Sequence, residues 1–345
     1  MIKKEILKIK KNYLQKIEKL QKYNENYYNK SNPIVDDAAY DNLKNEIFDL
    51  EKKYSFLQSK NSPSLIIGYK PSKNFKKVKH RTPMLSLNNA FDKKDLENFE
   101  KKILNFLSLQ TNKNIEFSAE PKIDGISASL FYKNGKFIQG LSRGDGVEGE
   151  DITENLNTIS DIPKMLRGRN IPTEIDIRGE VFIKNSDFEK LNGKFANPRN
   201  AASGSLRQKD SNKTKKIPLN FIAYTFGFSK NLDATNQFQF LSYLKNWGFK
   251  VNSFNRLLIG INNLIQNHSE IEEKRKEIDF DIDGIVYKVN DFKLQQRLGN
   301  LTNSPRWAIA HKFSAEKGIS KIKNIEIQVG RTGALTPVAK IDPVN

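Results

Sequence analysis

The sequence of 345 residues predicts an α+β protein, in which a helical N-terminal piece precedes a body of antiparallel strands with helices between them. Three observations predict it. Apolar residues near the N-terminus recur at helical spacing. From Ile115 onward the pattern changes to short alternating runs separated by turns, and the Asn-Gly pair inside "YKNGKF" marks a tight hairpin. A hydrophobic content of 37% is enough to build a core, and the length suits two or three folded units.

Taken in order, Ile6, Ile9, Tyr13, Ile17, Leu20 and Tyr27 define one face of a basic, amphipathic helix from Ile6 to Tyr27. A second helix starts at Asp36 or Asp37 and carries Tyr40, Leu43, Ile47 and Leu50 on one face. Ser59 to Lys79, rich in Ser, Pro, Gly and Lys, reads as a linker or extended arm. Strands are expected in "IEFSAEPKI", "ISASLFYKNGKFIQGLSR", "EIDIRGEVFI", "LNFIAYTFGF", "GIVYKVN", "RWAIAHKF" and "IKNIEIQVG", with helices notably at Asp92 to Leu109 and Phe238 to Trp247.

The chain has no cysteine, which excludes disulfides and thiolate zinc sites and fits a reducing cytoplasm. Its N-terminus lacks the uninterrupted apolar core of a signal peptide, and no apolar run approaches the roughly 20 residues of a membrane span. The formal net charge of +18 favours a polyanionic partner such as nucleic acid. A lysine excess arising from genome base composition would give the same number.

The chemistry centres on "SAEPKIDG". In an extended strand Glu120, Lys122 and Asp124 project to one side and Ile123 to the other. A lysine amine attacks only when neutral, and at a reference pKa near 10.4 about one in 2,500 is neutral at pH 7. Flanking carboxylates favour the ammonium form, so a nucleophilic role calls for other cations or a metal. In "WAIAHKF", Lys312 shares a face with Ala308 and Ala310, and in "DGIVYKV" Lys288 shares one with Val286. Such lysines either snorkel to a rim or point into a lined cavity. In "DDAAYD", Asp37, Tyr40 and Asp41 lie on one helix face, a pattern suited to a cationic pyridinium and its ribose, or to a helix cap with a core tyrosine. "NPRNAASGSLRQ" sets Arg199 and Arg207 among small residues, either as ordinary solvated arginines or where a phosphate backbone approaches closely.

The segments "EPKIDG", "SRGDGVEGEDIT", "DIRGEVF", "ANPRNAASGSLRQ", "DIDGIVYKV", "PRWAIAHKF" and "QVGRTGALTPVA", in this order, closely resemble the successive motifs of bacterial NAD-dependent DNA ligases over essentially the whole chain. The resemblance implies a helical subdomain binding nicotinamide mononucleotide (NMN) over residues 1–74 and a covalent nucleotidyltransferase domain, ligase/capping-enzyme-like, over 75–316. The first strands of an OB-fold would follow over 317–345. It implies that Lys122 attacks the α-phosphorus of NAD, releases NMN and holds AMP, with Asp124 orienting Lys122 or helping to place metal. Glu120 would face the adenosine side. Lys288 and Lys312 would neutralise phosphates and depress the Lys122 pKa. Arg143 and Glu180 would contact AMP, Ser86 and Leu87 would lie against the nucleotide, and Asp283 would assist Mg²⁺.

By the same resemblance Asp37, Ala38, Ala39, Tyr40 and Asp41, with Tyr27 and Tyr28 before them, form the NMN-binding element absent from ATP-using ligases. Many members have His where Tyr28 stands. Arg199 and Arg207 would contact DNA or its 5′ phosphate. The implied cofactors are NAD and Mg²⁺, with no zinc in this chain. The implied partner is nicked double-stranded DNA, bound by a monomer in the bacterial cytoplasm, associated with the nucleoid and with no membrane. Full-length relatives continue through a complete OB-fold and further modules, whereas this chain ends at Asn345. It is therefore expected to self-adenylylate with NAD but to seal nicks poorly. An ATP-dependent nucleotidyltransferase and a non-catalytic basic DNA-binding protein are the competing readings.

Overall fold

A computed structural model describes residues 2–24, 26, 35, 37–57, 62, 75–110, 114–191, 193, 195–314, 320–329 and 335–342. Two compact units are present, Met1–Phe313 and Ser314–Asn345. No helix among the described residues is long and apolar enough to cross a membrane.

The larger unit begins with α1 (Ile2–Asn24) and α2 (Asp37–Lys53). Their apolar faces meet at Tyr13, Leu20, Leu43 and Ile47, and the Tyr13 hydroxyl donates to Glu51 at 2.7 Å. The second helix starts where the sequence places it. The first ends at Asn24, and Tyr27 lies outside the described residues. Within the expected linker, Lys77–Lys79 forms a short strand, β1, while residues 58–61 and 63–74 lie outside the described residues. The strand β2 (Asn88–Ala90) and α3 (Lys93–Leu107) follow, and the Asp92 carboxylate caps α3 by accepting from the Asp95 amide.

The body continues with β3 (Glu116–Ile123), β4 (Ile126–Lys133), β5 (Lys136–Ser142), β6 (Glu148–Glu150), α4 (Thr153–Leu156), β7 (Glu174–Ile183) and α5 (Asn185–Phe188). After these come α6 (Pro198–Leu206), α7 (Ser211–Lys215), β8 (Leu219–Lys230), α8 (Gln237–Asn246), β9 (Arg256–Ile259), α9 (Ile261–Lys274), β10 (Ile282–Val289), α10 (Phe292–Leu298) and β11 (Ala308–Lys312). Asn134 and Gly135 both take positive φ, 49° and 76°, giving the tight β4–β5 hairpin that the Asn-Gly pair predicts.

Two sheets carry this body. One has the order β2-β11-β10-β3-β9, antiparallel except for β11 beside β2; the other has the antiparallel order β5-β4-β7-β8; and β1 pairs with β6. Each sheet buries one face in its own core. Leu130, Tyr132, Ile175, Ile177 and Val181 of the four-stranded sheet pack with Phe240 and Trp247, while Phe117, Ile123, Ile285, Tyr287 and Ile309 of the five-stranded sheet pack with Leu96, Ile103 and Leu264.

The smaller unit is one antiparallel pair, β12 (Ile322–Val329) and β13 (Leu335–Ile341), with Ile325, Ile327, Val329 and Leu335 exposed.

Candidate active site

Strand alternation builds one wall of the site. Cross-strand register sets Lys122 opposite Gly284, Glu120 opposite Val286 and Ser118 opposite Lys288, and then Gly284, Val286 and Lys288 opposite Lys312, Ala310 and Ala308. Residues in register share a face, so Glu120, Lys122, Lys288 and Lys312 rise from the same side of the five-stranded sheet. Their neighbours Ala119, Ile123, Ile285, Tyr287 and Ile309 go to the core beneath. Glycine and alanine between the charged side chains leave open space, and a cleft of roughly 2050 Å³ lies over them. Its other side is formed by Ser127 of β4, Arg143 after β5, Arg178 and Glu180 of β7 and Tyr224 of β8, with Tyr40, Asp41 and Lys44 of α2 at one end.

The charged groups inside are paired. The Lys122 amine donates to both Asp283 carboxylate oxygens, at 2.9 and 2.8 Å, and keeps 26% of its side chain exposed to the cleft. Lys312 bridges Asp41 at 2.7 Å and lies 3.9 Å from Asp283. Asp41 also accepts from Asn89 at 3.0 Å, so α2 is fastened to two strands of the sheet. Buried Lys288 donates to buried Glu120 at 2.7 Å, and the other Glu120 oxygen accepts from Ser118 and Gln237, each at 2.9 Å. Asp124 pairs with Arg199, and Arg143 donates to the Ser86 hydroxyl at 2.6 Å.

The electrostatics follow from these pairs. Burial disfavours the Lys122 ammonium and Arg199 adds to that, but contact with Asp283 outweighs both and the pKa rises above the ordinary lysine value. This differs from the expected depression. Lys288 and Lys312 stand beside Lys122, but each is offset by a carboxylate of its own. Burial disfavours the Asp124 carboxylate too, but Arg199 and then Lys122 hold its pKa low. Burial pushes Glu180 up to about 7 against the opposing pull of Arg199 and the Ser127 hydroxyl, which donates to it at 2.8 Å.

Most of the anticipated residues converge here. Lys122, Glu120, Glu180, Arg143, Ser86, Leu87, Asp283, Lys288, Lys312, Tyr40 and Asp41 all line the cleft. Tyr40 also donates its hydroxyl to Asn24 at 2.8 Å. Ala39 is exposed on α2. Asp37 and Ala38 contribute backbone to the first turn of α2 but their side chains lie outside the described residues, as do Tyr27 and Tyr28 entirely.

One assignment changes: the carboxylate that holds Lys122 is Asp283, not Asp124. Arg199 lies inside the cleft on Asp124, whereas Arg207 is outside it and bridges Glu150 at 3.2 Å. Lys44, Ser127, Arg178, Tyr224 and Gln237 were not singled out from sequence. Two of them carry a sequence signal: Lys44 stands four residues after Tyr40 and three after Asp41 on the same helix face, and Arg178 alternates with Glu180 along one strand.

A family model for the NAD-dependent DNA ligase adenylation domain matches residues 72–316, and one for the DNA ligase-like, N-terminal NAD+-binding domain matches 7–68. The chain is 66% identical over 333 residues to a DNA ligase of Pelagibacter ubique (strain HTCC1062), covering 96% of this chain and 49% of that relative. It is 48% identical over 333 residues to a DNA ligase of Parvibaculum lavamentivorans (strain DS-1 / DSM 13023 / NCIMB 13966), covering 94% and 47%. The chain thus spans about half the length of the curated relatives it matches. A solved mycobacterial DNA ligase D complexed with ATP and MES aligns over 57% of this chain and 54% of its own at 14% identity and a TM-score of 0.34, a likeness too low to bear on fold or donor.

Proposed function

The chain belongs to the NAD-dependent DNA ligase family, and from that premise we propose that Lys122 is the nucleophile that takes AMP from NAD, in a protein whose substrate is nicked DNA. The observation that carries this is the position of the Lys122 amine: inside the cleft, in contact with Asp283, with Lys288 and Lys312 on the same sheet face and α2 fastened beside it. In the reaction the Lys122 nitrogen bonds to the adenylate phosphorus, and the P–O bond to the nicotinamide-side phosphate breaks. The bonding electrons leave on that phosphate; Lys122 sheds one proton as the N–P bond forms, having first given up the ammonium's extra proton so that its lone pair is free.

Asp283, at 2.8 to 2.9 Å, is the nearest acceptor for that proton and keeps the amine aimed into the cleft. Lys288 and Lys312 offset phosphate charge once substrate phosphates compete with Glu120 and Asp41 for them. Half-buried Glu180, with Ser127, forms a polar wall for the nucleoside. AMP then passes to a 5′ phosphate, for which Arg199 and Arg207 supply positive charge, and the 3′ hydroxyl displaces it.

Bound Mg²⁺ would offset phosphate charge. Among the described residues no group of three or more His, Cys, Asp or Glu could hold a metal. Asp283, the carboxylate in contact with Lys122, would face such an ion, whose remaining ligands would be phosphate oxygens and water. A cytoplasmic, nucleoid-associated monomer is the setting this reading implies.

The test is intact mass after incubation with NAD and Mg²⁺, and separately with ATP and Mg²⁺. The expected result is a gain of one AMP with NAD alone, absent in Lys122→Ala. A gain with ATP but not NAD, or an unchanged gain in Lys122→Ala, would overturn it.

A further inference from the structure

Among the cations lining the cleft, Lys122, Lys288, Lys312 and Arg199 each contact a carboxylate. Arg178 and Arg306 donate to backbone carbonyls and Lys102 is exposed on α3, whereas the side chains of Arg143 and Lys44 contact neither a carboxylate nor a carbonyl of the described residues. Arg143 contacts the Ser86 hydroxyl, and its buried Nε has no partner among the described residues. Lys44 makes no hydrogen bond or ion pair with any described residue. A series of contacts brings them to one side: Lys44 stands one turn beyond Asp41 on α2, Asp41 accepts from Asn89, and three residues before Asn89 is Ser86, the partner of Arg143. Burial, with Arg143 adding to it and Asp41 opposing, holds the Lys44 pKa below its ordinary value. Two half-buried cations beside only one acid, Asp41, which is already engaged by Lys312, are held at a cost that an incoming anion relieves.

The chemistry of the cleft says which anion. Tyr40 and Asp41, one helical turn before Lys44, belong to the end of the cleft read as the nicotinamide side. A dinucleotide presents its second phosphate there, on the far side of the phosphorus that Lys122 attacks. We propose that Lys44 and Arg143 together grip the nicotinamide-side phosphate, and that Lys44 is a catalytic residue stabilising the charge that gathers on that phosphate as its bridging P–O bond breaks. This rests on the NAD reading above. The step balances: the N–P bond forms, the P–O bond breaks, the leaving phosphate gains one negative charge, and the lysine ammonium gives up two protons, one to free its lone pair and one as the N–P bond forms.

The test compares NMN with nicotinamide riboside, which lacks only the phosphate, by calorimetric titration of the full chain. Wild type is expected to favour NMN. Lys44→Met, which keeps the apolar stem, is expected to lose about tenfold in NMN affinity and to leave nicotinamide riboside within about twofold, and Lys44→Arg to recover most of the loss. The rate of AMP-adduct formation at saturating NAD should fall by about tenfold or more in Lys44→Met, because the contact strengthens as charge develops. An unchanged NMN-to-riboside ratio in Lys44→Met, in wild type that does form the adduct, overturns this inference alone. Failure of wild type to form any adduct with NAD overturns the functional reading and this inference with it.

Discussion

At the scale of single residues the site is a set of charges that hold one another. Lys122 is fixed by Asp283, so the proposed nucleophile is positioned as an ammonium and the same carboxylate that aims it raises its pKa. Glu180 is the opposite case, a carboxyl whose burial favours the neutral form, with a pKa of about 7 against an ordinary value of 4.5. The folded protein therefore binds a proton more tightly than the unfolded chain does. The associated stability is complete below the unfolded value and is lost as pH rises through about 7. Glu180→Gln removes this titration. Its melting temperature relative to wild type is expected to climb between pH 4.5 and 8, by the equivalent of up to roughly 3 kcal/mol, and then to level off. Thermal melts at matched pH values check this, and parallel profiles for the two proteins would count against it.

At the scale of elements, the face-sharing of Glu120, Lys122, Lys288 and Lys312 was legible from alternation alone, since a strand has no other way to present every second residue. Asp124 and Asp283 were not, and the reason is the backbone. The strand β3 ends at Ile123, and the Asp124 amide turns to bond the Asp281 carbonyl at 2.8 Å, so its carboxylate leaves the line of Lys122 and meets Arg199. On β10 the register slips between Ile282 and Gly284, leaving Asp283 as an extra residue. That bulge turns Ile282 into the core and Asp283 toward Lys122, the reverse of what strict alternation gives. The small residues of α6 also had a second explanation: Ala201 and Ala202 are fully buried in the core under the four-stranded sheet, while Arg199, in the first turn, reaches the cleft.

Gly125, between β3 and β4, lies close against β7 beside Lys122. A Cβ built there would lie 2.4 Å from the Val181 carbonyl oxygen and 2.9 Å from Glu180 Cγ. Gly125→Ala is expected to destabilise the protein by about 1–3 kcal/mol and to slow AMP-adduct formation, because β7 must shift and carry Glu180 with it. Urea unfolding and single-turnover mass measurements read the two effects, and a stability unchanged within about 0.5 kcal/mol would sink the argument.

At the scale of the whole molecule, the formal net charge of +18 and the site charges act in different ways. Acids inside the cleft are matched to Lys122, Lys288, Lys312 and Arg199 over contacts of a few ångströms, shielded from salt by burial. Most of the excess positive charge is elsewhere, on exposed lysines such as those of α1 and α3, and a salt solution screens it readily. Binding to a polyanionic duplex, as proposed, would draw on this outer charge and release counterions. Affinity for nicked DNA should therefore fall by about tenfold or more between 50 and 200 mM salt, with little dependence on base sequence. Formation of the AMP adduct from NAD draws on the inner charge and should change by less than about twofold over the same range. Fluorescence anisotropy with two nicked duplexes of unrelated sequence, run beside the mass assay at each salt concentration, separates the two. Equal salt dependence of both would mean that the outer charge governs the cleft as well, and the division between surface and site would fail.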